Sequence, residues 1–234
     1  MEKKKIGIIG AMETEVSVLK ERMTITRTVE KAGMTFYGGT LGNTEIVLVR
    51  SGVGKVNAAA CTQILIDCFE VTHILNTGLA GSMDDRIAIG DIVVSTDVLQ
   101  HDMDAVPFGY EAGQVPGQSV IAFPADEAFR AMAVEAVKTA APDVAVFEGR
   151  VVSGDQFISS QAKKDEIKAK FGGLCTEMEG GAVAQTAWLN HVPFVILRSI
   201  SDNANDGAGK AYTEIEAEAA AHSSAVTAAI IAEF

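Results

Sequence analysis

Histidine, cysteine and tryptophan are scarce in this chain of 234 residues, at four, three and one. Four histidines, none in paired ligand spacing, leave no framework for a zinc-type site, so no metal is expected. Cys61, Cys68 and Cys175 leave no disulfide framework. Cys61 and Cys68 should share a helix face two turns apart, roughly 10 Å in rise, too far for a bond. This usage implies a reducing, cytoplasmic setting. Basic residues are also in deficit, 19 Lys and Arg against 31 Asp and Glu, for a net charge of -12. A uniformly acidic chain is poorly suited to a polyphosphate backbone, so nucleic acid is not an expected partner. The charge says little about a small neutral or zwitterionic ligand. No apolar run approaches the ~20 residues that span a bilayer, so no membrane partner is expected. Met1-Glu2-Lys3-Lys4-Lys5 is basic like a signal n-region. The apolar stretch after it, Ile6 to Met12, holds two glycines and runs into Glu13 and Glu15, which reads as a first strand.

Familiar cofactor and nucleophile motifs are missing too. Gly7-Ile8-Ile9-Gly10 lacks the G-x-G-x-x-G spacing of a dinucleotide site. Gly52-Val53-Gly54-Lys55 hints at a phosphate loop, but Val49 stands where its first glycine belongs and Val56 replaces the magnesium-holding Ser or Thr. His101-Asp102-Met103-Asp104 is expected to be a structural loop rather than a ligand set. Cys175 has no base beside it and reads as a core thiol. No G-x-S-x-G elbow occurs. No cofactor is expected.

What is present is a near-regular alternation of short apolar runs and helical patterns. Strands are expected at 6–9, 25–30, 34–40, 45–50, 73–76, 91–96, 144–152 and 194–200. Helices are expected at 13–22, 55–69, 126–141, 162–170, 180–190 and 212–233. Continuous apolar strands suggest a sheet covered on both faces, and the alternation suggests an α/β fold around a mixed sheet. With no repeat, linker or composition break, residues 1–234 read as one domain. The longest irregular stretch, 101–123, is rich in Gly and Pro; such ordered loops are often functional.

Four segments carry polar groups where an apolar strand ends: 10–15, 151–158, 175–181 and 198–202. Ligands gather at strand carboxyl ends in open α/β sheets, so Glu15, Glu179 and Asp202 could converge there, with Phe157 beside the same rim. Each has a plainer reading. Glu15 could be a solvated first-turn carboxylate, Asp202 an N-cap, Glu177 and Glu179 exposed acids, and Phe157 a core ring. Their joint occurrence at four strand exits favours a site.

These segments also resemble, in order and over nearly the whole chain, the methylthioadenosine/S-adenosylhomocysteine nucleosidases. The similarity runs through Gly7-Ile8-Ile9-Gly10-Ala11-Met12-Glu13-Thr14-Glu15, Ser51-Gly52-Val53-Gly54-Lys55-Val56-Asn57-Ala58-Ala59 and Asn76-Thr77-Gly78-Leu79-Ala80-Gly81. It continues through Gly90-Asp91-Ile92-Val93-Val94-Ser95, Val152-Ser153-Gly154-Asp155-Gln156-Phe157-Ile158, Glu177-Met178-Glu179 and Arg198-Ser199-Ile200-Ser201-Asp202. The ordered set is specific for the nucleoside phosphorylase/hydrolase fold, and the opening segment favours the hydrolase branch. The implied architecture is a three-layer, nucleoside-phosphorylase-like α/β fold, a twisted mixed sheet flanked by helices.

The resemblance implies hydrolysis of the bond between ribose C1′ and adenine N9 in methylthioadenosine and S-adenosylhomocysteine, and by the same chemistry in 5′-deoxyadenosine. Asp202 would give a proton to adenine N7, Glu15 would activate water, and Arg198 would hold that water and the neighbouring carboxylates. Glu179, beside Met178, would bind the ribose hydroxyls, Phe157 would stack on adenine, and the main chain of Ile158 would read its edge. Met12, Gly81, Glu177 and Ser201 complete the expected substrate contacts. In the family a second subunit lines part of the 5′ channel. That implies a homodimer in which Phe108, Tyr110 and Pro116 reach the partner's site, with Tyr212 in the matching segment before the last helix. Leu79 departs from the family's frequent serine. Three alternatives share the fold: a purine nucleoside or methylthioadenosine phosphorylase, an aminofutalosine hydrolase, and a non-catalytic purine-binding protein. A phosphorylase would set phosphate against the carboxylate of Glu15. A binding protein should have lost one of the carboxylates.

Overall fold

The computed structural model describes residues 4–203 and 212–234, without the side chains of residues 202, 203, 212–218 and 221. The described chain runs β1 (Lys5–Gly10), α1 (Glu13–Arg22), β2 (Thr24–Lys31), β3 (Met34–Leu41), β4 (Thr44–Arg50), α2 (Lys55–Phe69), β5 (His73–Ser82) and β6 (Ile92–Gln100). It continues through β7 (Phe123–Pro124), α3 (Glu127–Ala140), β8 (Val146–Ser153), α4 (Gln161–Phe171), β9 (Cys175–Glu177), α5 (Gly180–Leu189), β10 (Phe194–Asn203) and α6 (Tyr212–Ala232).

Strand alternation sorts the apolar residues onto two faces of one mixed sheet. Ile6, Ile8, Ile46, Leu48, Val195 and Leu197 pack with α1, α3 and α6. Ile9, Val47, Val49, Phe194 and Ile196 pack on the other face with α2 and α5. The result is the expected three-layer α/β arrangement. A smaller cluster of Met83, Leu99, Val152, Ile158, Ile167 and Phe171 seats α4. Among the described residues, no helix is long and apolar enough to cross a membrane.

The strand order is β10-β6-β8-β9-β5-β1-β4-β3-β2, and β10 also pairs with β5, closing β5, β9, β8, β6 and β10 into a ring. Strand β5 is where the sheet divides. Along one edge, β10 follows it from Ile74 to Ser82. Along the other, β1 accompanies it only from His73 to Asn76, and β9 takes over at Gly81 and Ser82. The edge between, around Gly78 and Leu79, is left for side chains. On β10 the register slips between Ile200 and Asp202, leaving Ser201 as the extra residue. Such bulges re-aim side chains, commonly beside active sites.

Two expectations about the strands change. The strand expected at 73–76 runs on to Ser82, because Gly78 and Gly81 stay paired along β10 rather than forming a turn. The three-residue β9, too short to show a period, falls in a segment read as an exit loop. Cys61 is buried but Cys68, on the last turn of α2, is exposed. It accepts a hydrogen bond from Lys31 Nζ at 3.1 Å; the two thiols stand two turns apart on α2, as expected, and differ in burial. Burial pushes the Cys61 and Cys175 thiols up, away from the reactive thiolate.

Candidate active site

Three helices begin where the sheet divides, and each N-terminus meets a carboxylate. Helix N-termini expose unpaired N–H groups and carry partial positive charge, so acids placed there are stabilised. On α1, Glu15 is the third helical residue and reaches back, as such glutamates do. Its Oε2 accepts the N–H of Ala11 at 2.6 Å and of Met12 at 2.9 Å. Its Oε1 accepts the N–H of Leu79 at 3.1 Å, from the open edge of β5. On α5, Glu177 Oε2 accepts the N–H of Glu179 at 2.9 Å and of Gly180 at 2.7 Å. On α2, the N–H of Gly54 donates to Glu179 Oε1 at 2.8 Å. Gly54 has φ 97°, a conformation that side chains rarely adopt and that aims its N–H at the carboxylate.

Arg198 lies beneath these acids, 1% exposed. Its Nη2 donates to Asn76 Oδ1 at 2.6 Å and to Glu177 Oε2, and stands 3.9 Å from Glu179 Oε2. Asn76 in turn donates to the carbonyl of Ile9 at 3.0 Å, tying Arg198 to β1. Burial drives the Glu15 carboxyl above its ordinary value, against the opposing pull of Arg198 and three backbone N–H groups. Burial, reinforced by the charge of Glu177, pushes Glu179 up to about 7. Both acids are therefore raised above free glutamate, a property suited to proton transfer.

Gly78 permits this packing. A Cβ there would meet Arg198 Nη1 and stand 2.6 Å from Glu15 Oε1. Gly78→Ala is expected to cost about 1–3 kcal/mol through overpacking, read as a lowered melting temperature together with reduced turnover.

A cavity of about 240 Å³ opens over the three acids. Glu15, Glu177, Glu179, Met12, Met178, Gly81, Phe157 and Ser201 line it, as do Leu79 and Thr176. Glu177 and Glu179 are each 6% exposed and Glu15 is 3% exposed, which replaces the plainer reading of solvated acids. Phe157 is the reverse, 68% exposed at the rim rather than core. Ile158 packs its side chain into the cluster under α4 and does not line the cavity. Arg198 does not line the cavity; it acts on the space through its carboxylate neighbours. Phe108, Tyr110 and Pro116 lie in the stretch after β6 and do not line it either, and Phe108 is 83% exposed. The Asp202 main chain pairs with Gly81 at the cavity edge, but its side chain, like that of Tyr212, lies outside the described residues. Sequence reasoning missed Asn76 and Thr176. A buried asparagine inside an apolar strand was the available signal for the first, and the polar strand exit at 175–181 for the second.

A carboxylate-lined cavity at the divided edge of a ring-closed mixed sheet defines a class. The family model described as the phosphorylase superfamily matches residues 5–234, and the chain belongs to that superfamily. It is 42% identical over 227 residues to the 5′-methylthioadenosine/S-adenosylhomocysteine nucleosidase of Exiguobacterium sp., covering 97% of each chain. The solved nucleosidase of Colwellia psychrerythraea, in complex with adenine, superposes with a TM-score of 0.93 at 39% identity, over 99% of this chain and 96% of that one. The Neisseria meningitidis nucleosidase, in complex with methylthio-immucillin-A, gives 0.94 at 37% identity, over 99% and 100%. Within the superfamily, the chain belongs to the 5′-methylthioadenosine/S-adenosylhomocysteine nucleosidase family.

Proposed function

We propose that this chain cleaves the N-glycosidic bond of 5′-methylthioadenosine and S-adenosylhomocysteine with Glu15 activating water and Asp202 protonating adenine N7. As a member of its family the chain is an N-ribosyl hydrolase. The observation that carries the residue assignment is the buried Glu15 carboxylate, held by three backbone N–H groups and facing a cavity large enough for a small ligand. Cleavage needs a protonated leaving group and a nucleophile for an oxocarbenium-like centre. Glu15 supplies the base. Asp202, whose main chain pairs with Gly81 at the cavity edge, supplies the acid, a role that requires a carboxyl protonated near neutral pH. Glu179 receives the ribose hydroxyls, Phe157 stacks on adenine, and the Ile158 main chain reads its edge. Met12, Met178, Gly81 and Ser201 enclose the sugar, and Glu177 holds Arg198. The enzyme works in the cytoplasm as a homodimer. Phe108, Tyr110 and Pro116 of each subunit complete the partner's 5′ channel, alongside Tyr212. The exposure of Phe108 on a subunit whose own cavity it does not line supports that arrangement. 5′-Deoxyadenosine fits the same scheme.

Water rather than phosphate is the favoured nucleophile for an electrostatic reason. Among the described residues, the cavity lining holds three carboxylates and no basic side chain. A phosphate dianion placed there would face carboxylates with no basic side chain of the lining to hold it, since Arg198 is already taken up by Glu177 and Glu179. Incubation with methylthioadenosine in phosphate-free buffer should release adenine and the free sugar at full rate. A requirement for phosphate, with a sugar 1-phosphate as product, would make the enzyme a phosphorylase. Asp202→Asn should lower kcat about a hundredfold, as expected for loss of a general acid, with ligand affinity within about tenfold. Unchanged turnover would remove Asp202 from the mechanism.

A further inference from the structure

The Gly52–Lys55 and His101–Asp104 segments, which bind neither phosphate nor metal in the reading above, meet each other in the folded chain. Lys55 Nζ donates to Asp102 Oδ1 at 2.7 Å and to Gln100 Oε1 at 3.0 Å. The Lys55 N–H donates to Asp155 Oδ1 at 2.8 Å. The Asp155 N–H donates to Asp102 Oδ2 at 2.9 Å. These contacts close a ring among the start of α2, the end of β6 and the turn after β8. Gln100 extends it to α5, donating to Gln185 Oε1 at 2.6 Å. The side chains of Lys55 and Asp102 are only 18% and 17% exposed, so this pair is screened less than a surface ion pair. Burial opposes charge on Asp102, but the hydrogen bonds from Lys55 and Asp155 still hold its carboxyl below the ordinary value. His101, the other titratable group at this turn, packs against Gly154, where a Cβ would stand 2.5 Å from its ring. Burial lowers its pKa, against the opposing pull of Asp102.

What the ring holds is informative. Gly54, adjacent to Lys55, gives its N–H to Glu179. Asp155 lies two residues before Phe157, at the cavity rim. We propose that Lys55 and Asp102 are positioning residues, a strut that sets the ribose carboxylate Glu179 and the stacking ring Phe157 in one fixed relation without touching substrate. The inference rests on the reading of Glu179 and Phe157 as substrate contacts. A strut of this kind governs how well the bound nucleoside is seated, whereas Glu15 and Asp202 act on the bond, so its loss should appear in KM.

Asp102→Ala and Lys55→Met are each expected to raise KM for methylthioadenosine about tenfold while kcat stays within about threefold, measured well below each variant's melting temperature. The double variant should match either single one, because both remove the same contact. Asp102→Asn, which keeps an acceptor for Lys55 but turns its NH₂ toward the Asp155 N–H, should recover part of the KM. A KM unchanged in both single variants would overturn the proposal. So would effects that multiply in the double variant, or a fall confined to kcat. If Asp102→Ala does not fold, Lys55→Met and Asp102→Asn carry the same test. Glu179→Gln and Phe157→Ala are measured alongside. If these leave KM unchanged, the substrate-contact reading itself fails. If they raise it and the strut variants do not, only the strut fails.

Discussion

Glu15→Gln is expected to lower kcat for methylthioadenosine about a thousandfold, within the range a positioned general base supplies, while ligand affinity stays within about tenfold. The argument is local. The amide oxygen can still accept the N–H groups of Ala11 and Met12, but the amide NH₂ then faces the Leu79 N–H and cannot accept from it. One buried donor left unmatched costs about 1–3 kcal/mol, offset in part because a neutral group no longer resists burial. The protein should therefore fold, and the lost turnover should report chemistry. The pH profile gives a second reading. Burial raises the Glu15 carboxyl, and a general base must be ionised. Activity should thus rise with pH along an acid limb placed above the ordinary glutamate value of 4.5. That limb should vanish in Glu15→Gln. A large loss of affinity with little loss of rate would make Glu15 a substrate clamp instead.

Arg198→Met should be the most damaging single change to stability. The guanidinium is the shared counter-charge for Glu177, Glu179 and Glu15. Removing one partner of a buried ionic group leaves the others uncompensated, at a cost of about 3–5 kcal/mol. The loss has a direction in pH. Arg198 lowers the carboxyls of Glu15 and Glu179, so without it both rise further. A carboxyl whose folded-state value exceeds its unfolded one binds more protons when folded. Stability is then present at low pH and lost as pH rises through that folded value. Arg198→Met should consequently be least destabilised under mildly acidic conditions and most destabilised above the value of about 7 already set for Glu179. Chemical denaturation at several pH values tests this, and a pH-independent difference would show that Arg198 matters only through packing. The acid limb of activity should also move to higher pH, since Glu15 must be ionised.

Substituting serine for Leu79 provides a smaller check on the cavity. Its N–H is already committed to Glu15, so only the side chain facing the cavity changes.

Much of this protein is legible in its sequence. Alternation in Ile6-Gly7-Ile8-Ile9 and in Ile46-Val47-Leu48-Val49 reflects which face each side chain must bury, so the strands, and the sheet covered on both faces, follow from local pattern. Glu15 was locatable as an acid three residues into a helix that follows a strand. Whether it was a solvated cap or a buried base was not, because both make the same backbone contacts. That question was decided far away in the chain, where β1 leaves the edge of β5 after Asn76 and β9 returns to it only at Gly81. The vacated edge supplies the Leu79 N–H and the room above Gly78. Likewise the bulge that turns Ser201 to the cavity depends on the register between β10 and β5, and the meeting of Lys55 with Asp102 on the ring of strands. Local preference sets period and caps; burial of charge is a sum over neighbours, and those neighbours exist only once the sheet has closed.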